Sequence, residues 1–261
     1  MFWRLIDKEH PAYDPKLASK YGNAIENIYI EADKILDKAL AKVDKDTIIM
    51  VMSDHGFTPF RYCFNLNTWL KENGYLRLIN EWKQGQDSFF LNTDWSKTQS
   101  YAIGLNGLYI NQKGREAEGI VPQGKTKETL VREIAHKLES FKDPKTGEHP
   151  VLRAFVAKDV YSGPYASEAP DIILGYNRGY RVSWASPLGR IPKNIIEPNT
   201  EKWSGDHCMA PEVIPGILLA NRKIVLRFPA LYDLTATILE IFGINKPKDM
   251  IGQSIFNLRR P

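Results

Sequence analysis

Two short polar clusters, Ser53-Asp54-His55-Gly56 and Gly205-Asp206-His207-Cys208, hold the residue types in this chain best suited to chemistry. In the first, a carboxylate stands beside an imidazole and a permissive glycine follows; that donor set suits a divalent transition metal such as zinc. In the second, Asp206, His207 and Cys208 are all metal-capable types. A neutral histidine with an orienting carboxylate is the commoner arrangement, so His207 is the candidate ligand and Asp206 the group that would orient its ring from behind. Each cluster taken alone also reads as a turn, Asp54 and His55 capping a strand end and His207 lying on an ordinary loop. The remaining histidines carry less. His10 reads as a loop histidine without a partner at ligand spacing, His136 lies off the apolar stripe of a helix and is expected in solvent, and His149 stands on a loop beside Pro150.

The elements that must position these clusters follow from the apolar pattern. Residues 48–52, Ile-Ile-Met-Val-Met, form an unbroken run of the length of a strand buried on both faces. In open α/β sheets ligands gather beyond the carboxyl ends of strands, so Asp54 and His55 stand where a site is expected. A second apolar run, 213–220, follows His207. Asp54, His55 and His207 are therefore expected to converge on one rim of a wound sheet. Upstream, Ile25, Ile28, Ala32, Ile35, Leu36, Ala39, Leu40 and Val43 recur at three- and four-residue steps and predict one helix over 17–43 that packs on the sheet. Downstream, the spacing predicts a helix over 65–72 closed by Asn73-Gly74, and strands at 75–79, 101–111, 151–156, 171–174 and 180–184. A helix capped by Thr126 carries the stripe Leu130, Ile134, Leu138 and Phe141, and another over 231–242 is closed by Gly243. Asp233 reads as a first-turn charge of that last helix. Asn106 reads as a turn or bulge residue ahead of a ligand-facing one, and the aromatic-rich stretch 80–100 as a packed insertion ahead of a lid.

Composition narrows the class. At 261 residues, 43% hydrophobic and 25% charged, the chain is long enough for a substantial core and too ordered in composition for disorder. No apolar run approaches the roughly 20 residues of a membrane span, and Met1-Phe2-Trp3-Arg4 is not a signal peptide start. The net charge of +4 is spread along the chain, so no basic stripe points to nucleic acid. Cys63 and Cys208 give no disulfide framework, though one bridge is allowed; a reducing, cytoplasmic setting is the expectation for the chain as it stands. No linker, repeat or break in composition divides the sequence, which predicts one α/β domain over 1–261, with 75–190 as a candidate inserted lobe.

Taken together, SDHGF after an apolar strand, GDHCM later, and DLTATILEIFGINKPKDMIGQSI near the end resemble the alkaline phosphatase superfamily, and within it the type I phosphodiesterases and nucleotide pyrophosphatases. The resemblance covers nearly the whole chain, as the C-terminal portion of such an enzyme. It implies a three-layer αβα sandwich and a small-molecule phosphate ester or nucleotide as substrate. It also implies a two-metal centre, with zinc first and manganese or iron as alternatives. Asp54 and His55 would bind one metal and His207 the other. In such centres the metals clamp the attacking and leaving oxygens of an in-line phosphoryl displacement.

The same resemblance asks for an Asp near the first strand, a Thr or Ser nucleophile at a helix start, and an Asp and His a few residues apart. Relatives carry that last pair just ahead of a stretch similar to Met1-Phe2-Trp3-Arg4. No catalytic nucleophile is therefore assigned, and the expectation is that N-terminal core strands are missing and that a missing N-terminal portion is a partner. The rival expectation is a non-catalytic, truncated or degenerate chain that serves only in metal binding or assembly.

Overall fold

The computed structural model describes residues 1–86 and 88–257. In chain order the elements are α1 (Trp3–Ile6), α2 (Pro15–Tyr21), α3 (Ala24–Leu40), β1 (Met50–Met52), β2 (Thr58–Phe64), α4 (Leu66–Glu72), β3 (Ser100–Ile103), β4 (Gly107–Ile110), α5 (Lys125–Ser140), β5 (Val151–Val156), α6 (Ala157–Val160), β6 (Ile172–Tyr176), β7 (Gly179–Val182), β8 (Ile196–Pro198), β9 (Gly205–Asp206), β10 (Leu218–Ala220) and α7 (Leu231–Ile241). This is a mixed α/β chain. It divides into two compact units, Met1–Ile28 with Phe57–Ile214, and Tyr29–Gly56 with the chain from Pro215 onward. Among the described residues no helix is long and apolar enough to cross a membrane.

The first unit holds two sheets. One has the order β3-β4-β6-β5 and is antiparallel throughout. Helix α5 turns Val131, Ile134, Ala135 and Leu138 into the core that Val151, Ile172 and Leu174 of this sheet share. In the other sheet β2 is central, parallel to β7 and antiparallel to β8 and β9. Among the described strands the wound, parallel arrangement expected from the sequence is thus met only at the β2–β7 pair, because apolar runs specify burial and leave the direction of pairing to the connections. Other expectations shift locally. Residues 75–79 form no strand; Tyr75 and Leu76 are buried while Leu78 makes one isolated bridge to Thr93. Residues 101–111 form a hairpin of β3 and β4, with Asn106 in the turn as its type suggests and Gly104 there at φ +78°. Helix α5 begins at Lys125 after Gly124, whose φ of +79° sets the turn, so Thr126 lies inside the helix and is not its cap.

The second unit is smaller. β1 pairs with β10 alone, antiparallel, in register Val51↔Leu219. Asn221 lengthens the pairing: its amide accepts from Ile49 N at 2.9 Å and donates to Thr47 O at 2.9 Å. Leu234 and Ile241 of α7 pack with Met50, Leu218, Ala220, Ile255 and Phe256. The buried Asp233 carboxylate holds both flanks of this layer, accepting from Ala230 N at 2.8 Å and Gln253 N at 2.9 Å. In the run 48–52 the first four residues are half-buried, Met52 is exposed, and only the last three are strand, so it is not a strand covered on both faces. The predicted helix over 17–43 is two helices, α2 and α3, parted at Gly22-Asn23, where an added Cβ on Gly22 would lie 2.6 Å from Ala18 O. No described residue of α3 is buried, and Ile28 and Ile35 are 70% and 69% exposed. A periodic stripe states which face seeks cover; it does not supply the cover.

Candidate functional site

Asp54 and His55 follow β1 directly, and the strand end is tied down before them. Ser53 N donates to Ile217 O at 3.1 Å, and Ile217 N donates to Ser53 Oγ at 3.0 Å. Gly216 permits this closeness, since a Cβ there would sit 2.9 Å from Ser53 O. Beyond the stitch, Asp54 Oδ1 accepts from His55 N at 3.0 Å, which folds the carboxylate back over its neighbour. His55 Nδ1 lies 2.8 Å from Gly56 O. A carbonyl only accepts, so Nδ1 carries the hydrogen and, in the neutral ring, Nε2 carries the lone pair. That Nε2 is 3.4 Å from Asp54 Oδ2. Two ligands bound tetrahedrally to zinc at about 2.0–2.1 Å stand about 3.4 Å apart. The donor pair therefore fits one edge of a metal's coordination sphere, and the Nδ1–H to carbonyl bond is the customary support of a metal-binding histidine.

The second cluster lies in the other unit, with Gly205 and Asp206 forming β9 and His207 and Cys208 the loop after it. Its course is set by close backbone approaches. A Cβ on Gly205 would stand 2.2 Å from Trp3 Cδ1, and Trp3 in turn stacks on Phe57 with ring centroids 6.0 Å apart. Ser204 Oγ accepts from Arg4 N at 3.0 Å and donates to Met1 O at 3.1 Å, so the bulky first residues are packed against this loop. On the far side, a Cβ on Gly175 would lie 2.9 Å from Ala210 Cα, and Ala210 N donates to Tyr176 O at 2.9 Å. Asn106 lies in the β3–β4 turn, and its amide donates to Cys208 O at 3.4 Å and, more closely, to Leu174 O, clipping the loop to that turn.

Between these anchors Asp206 is buried and His207 half-exposed. Asp206 Oδ1 accepts from His207 N at 2.7 Å and Cys208 N at 3.1 Å, and lies 3.6 Å from His207 Nδ1. Asp206 Oδ2 is paired with Arg181 Nε. Burial pushes the Asp206 carboxyl up, but the Arg181 guanidinium and the two backbone N–H groups outweigh it and hold the carboxyl below its ordinary range. The Cys208 thiol is pushed up to about 11 by burial and by the Asp206 charge. A nitrogen of His207, Cys208 Sγ and an Asp206 oxygen all lie within 4.8 Å of one another.

Arg181 is the residue that sequence reasoning missed. It is 1% exposed on β7, its guanidinium lies 3.8 Å from the Trp184 ring centroid, and its Nη1 has no hydrogen-bond partner. Tyr180, Arg181 and Val182 are all buried, so the strand shows none of the alternation that would have marked an inward arginine. The histidines set aside behave variously. His136 is exposed and His149 Nδ1 bonds Glu139 O at 2.8 Å, but His10 is no open loop histidine: it is buried between Ala12 N and Phe60 O, each at 3.0 Å. Cys63 and Cys208 are both free thiols, so the allowed bridge is not formed. A cavity of about 560 Å³ elsewhere in the first unit is lined by Lys127, Arg132, Lys158 and Asp171. Its charges are matched with one another, Lys127 to Asp171 at 2.6 Å and Arg132 to Asp159 at 2.7 Å.

Against known proteins, residues 6–194 match the family model described as type I phosphodiesterase / nucleotide pyrophosphatase. No curated protein and no solved structure matches the chain.

Proposed function

The chain belongs to the type I phosphodiesterase / nucleotide pyrophosphatase family, and from that premise we propose that Asp54 and His55 bind one divalent metal, and His207 a second, for the hydrolysis of a small-molecule phosphate ester or nucleotide. The observation that carries the assignment is the 3.4 Å separation of Asp54 Oδ2 and His55 Nε2, with Nδ1 tied to Gly56 O. Zinc is the metal we assign first, because imidazole and carboxylate donors at this spacing suit it. When bound, such metals polarise a phosphoryl oxygen and lower the pKa of the attacking oxygen. The chain's own part is to orient. Gly56 O fixes the tautomer of His55, and the Asp206 carboxylate, kept anionic by Arg181, lies on the Nδ1 side of His207. No nucleophile is assigned among these residues.

The wider architecture we attach to this reading is the three-layer αβα sandwich. Support comes from α7 packed on β1 and β10. We read 1–261 as one domain, since each compact unit draws on two separated stretches of chain, and 75–190 as a lobe within it, since the β3-β4-β6-β5 sheet and α5 fall wholly inside that span.

Metal content decides the assignment. The chain dialysed against zinc and measured by inductively coupled plasma mass spectrometry should hold metal that Asp54→Ala, His55→Ala and His207→Ala each reduce. Unchanged stoichiometry in all three, or measurable turnover of bis(p-nitrophenyl) phosphate that persists undiminished in them, would remove these residues from the site.

A further inference from the structure

The loop after β9 offers a donor that the reading above leaves unused. Asp206 is nearly exhausted as a ligand: Oδ1 takes two backbone N–H bonds and Oδ2 faces the buried guanidinium of Arg181. The Cys208 thiol is bonded to that same Asp206 side chain. Cys208 Sγ and a nitrogen of His207 lie within 4.8 Å of one another, and both residues retain some exposure. A tetrahedral zinc holds nitrogen and sulfur ligands roughly 3.5 Å apart. A shift of about 1 Å by the His207 side chain closes that difference.

We propose that Cys208 Sγ is a ligand of the same divalent metal as His207, with Asp206 held back by Arg181 as the positioning group. The inference rests on the reading that His207 binds a metal, and adds a soft sulfur donor to that position. Binding releases the thiol proton to solvent and forms a metal–thiolate bond. Three features of the fold support a fixed thiol here: Cys208 N is bonded to Asp206 Oδ1, Cys208 O receives the Asn106 amide, and Ala210 is locked against Gly175. A thiolate favours zinc over manganese, whereas a centre of histidine and carboxylate alone discriminates less.

Cobalt(II) reports on this directly, because thiolate ligation adds a sulfur-to-cobalt charge-transfer band in the near ultraviolet to the visible ligand-field bands. The full chain titrated with cobalt(II) should show both. Cys208→Ser should lose the charge-transfer band, keep visible bands, and narrow the preference for zinc over manganese by about tenfold or more. Cys63→Ser should leave the spectrum unchanged. Circular dichroism on both variants separates loss of a ligand from loss of the fold. Visible bands without a charge-transfer band in the parent chain would overturn the sulfur ligand and leave the metal site standing. A charge-transfer band that survives Cys208→Ser, or vanishes in Cys63→Ser, would equally overturn it. Absence of all cobalt bands would overturn both this inference and the reading it rests on.

Discussion

Arg181 and Asp206 form a buried pair on which the candidate site leans, since the carboxylate also organises the backbone of His207 and Cys208. Removing one partner of such a pair leaves an uncompensated buried charge. Arg181→Met should therefore cost about 3–5 kcal/mol in urea unfolding, far more than an exposed ion pair such as Lys34–Glu31. A loss under about 0.5 kcal/mol would show that Asp206 needs no counter-charge. His10 gives a prediction in pH. Its Nδ1 accepts from Ala12 N, so Nε2 must donate to Phe60 O and the ring is held neutral. Burial lowers its pKa, against the raising effect of the Phe60 bond and Asp7. With the folded pKa below the unfolded value, the unfolded chain takes up the proton first. This contribution is complete above about pH 6.5 and declines as pH falls through the unfolded value toward the folded one. Urea midpoints at pH 7.5 and pH 5 should diverge more in the parent chain than in His10→Gln; parallel midpoints would contradict it. At this scale the metal-capable residues were legible, because Asp-His-Gly after an apolar run is a local pattern. Arg181 was not, because its partner is 25 positions away and its strand is buried on both sides of the pleat.

Among the elements, those whose signals are local were read most closely. Helix α4 ends at Asn73-Gly74 with Gly74 at φ +83°, and α7 ends before Gly243 at φ +68°, as the cap chemistry requires. Strand β1 shows the limit: its composition announced burial, but its single antiparallel partner, β10, is specified by residues remote in sequence. The break between α2 and α3 was written in Gly22-Asn23, and the apolar stripe begins only after it, at Ile25. Strand β9 yields a prediction of its own. Gly205→Ala places a methyl into the Trp3 ring, so overpacking should cost about 1–3 kcal/mol and disturb the Trp3–Phe57 stack. Thermal unfolding and intrinsic tryptophan fluorescence measure both. An unshifted melting temperature with native fluorescence would mean that the strand yields without penalty.

For the whole molecule, the α/β class and the reaction family were legible, while the division into two units of interleaved chain was not, since no local composition marks it. The exposed stripe of α3 belongs to this scale. Ile28 and Ile35 stand seven residues apart and so lie on one face of the helix. Ile28→Lys combined with Ile35→Glu should change stability by less than about 0.5 kcal/mol while raising solubility and lowering binding of an apolar dye. A large destabilisation would show that this face is covered in solution. The pairing of β1 with β10 has a further consequence in time. Val51 leaves the ribosome roughly 170 residues before Leu219, which at about 5–20 residues per second is a wait of about 10–30 s. Through that interval Ile48, Met50 and Met52 have no strand to join, and loop closure over so long a separation is slow even afterwards. The nascent chain therefore carries an apolar segment awaiting its mate throughout synthesis of the first unit, which makes its yield in a cell a matter of chaperone supply and growth temperature as much as of final stability.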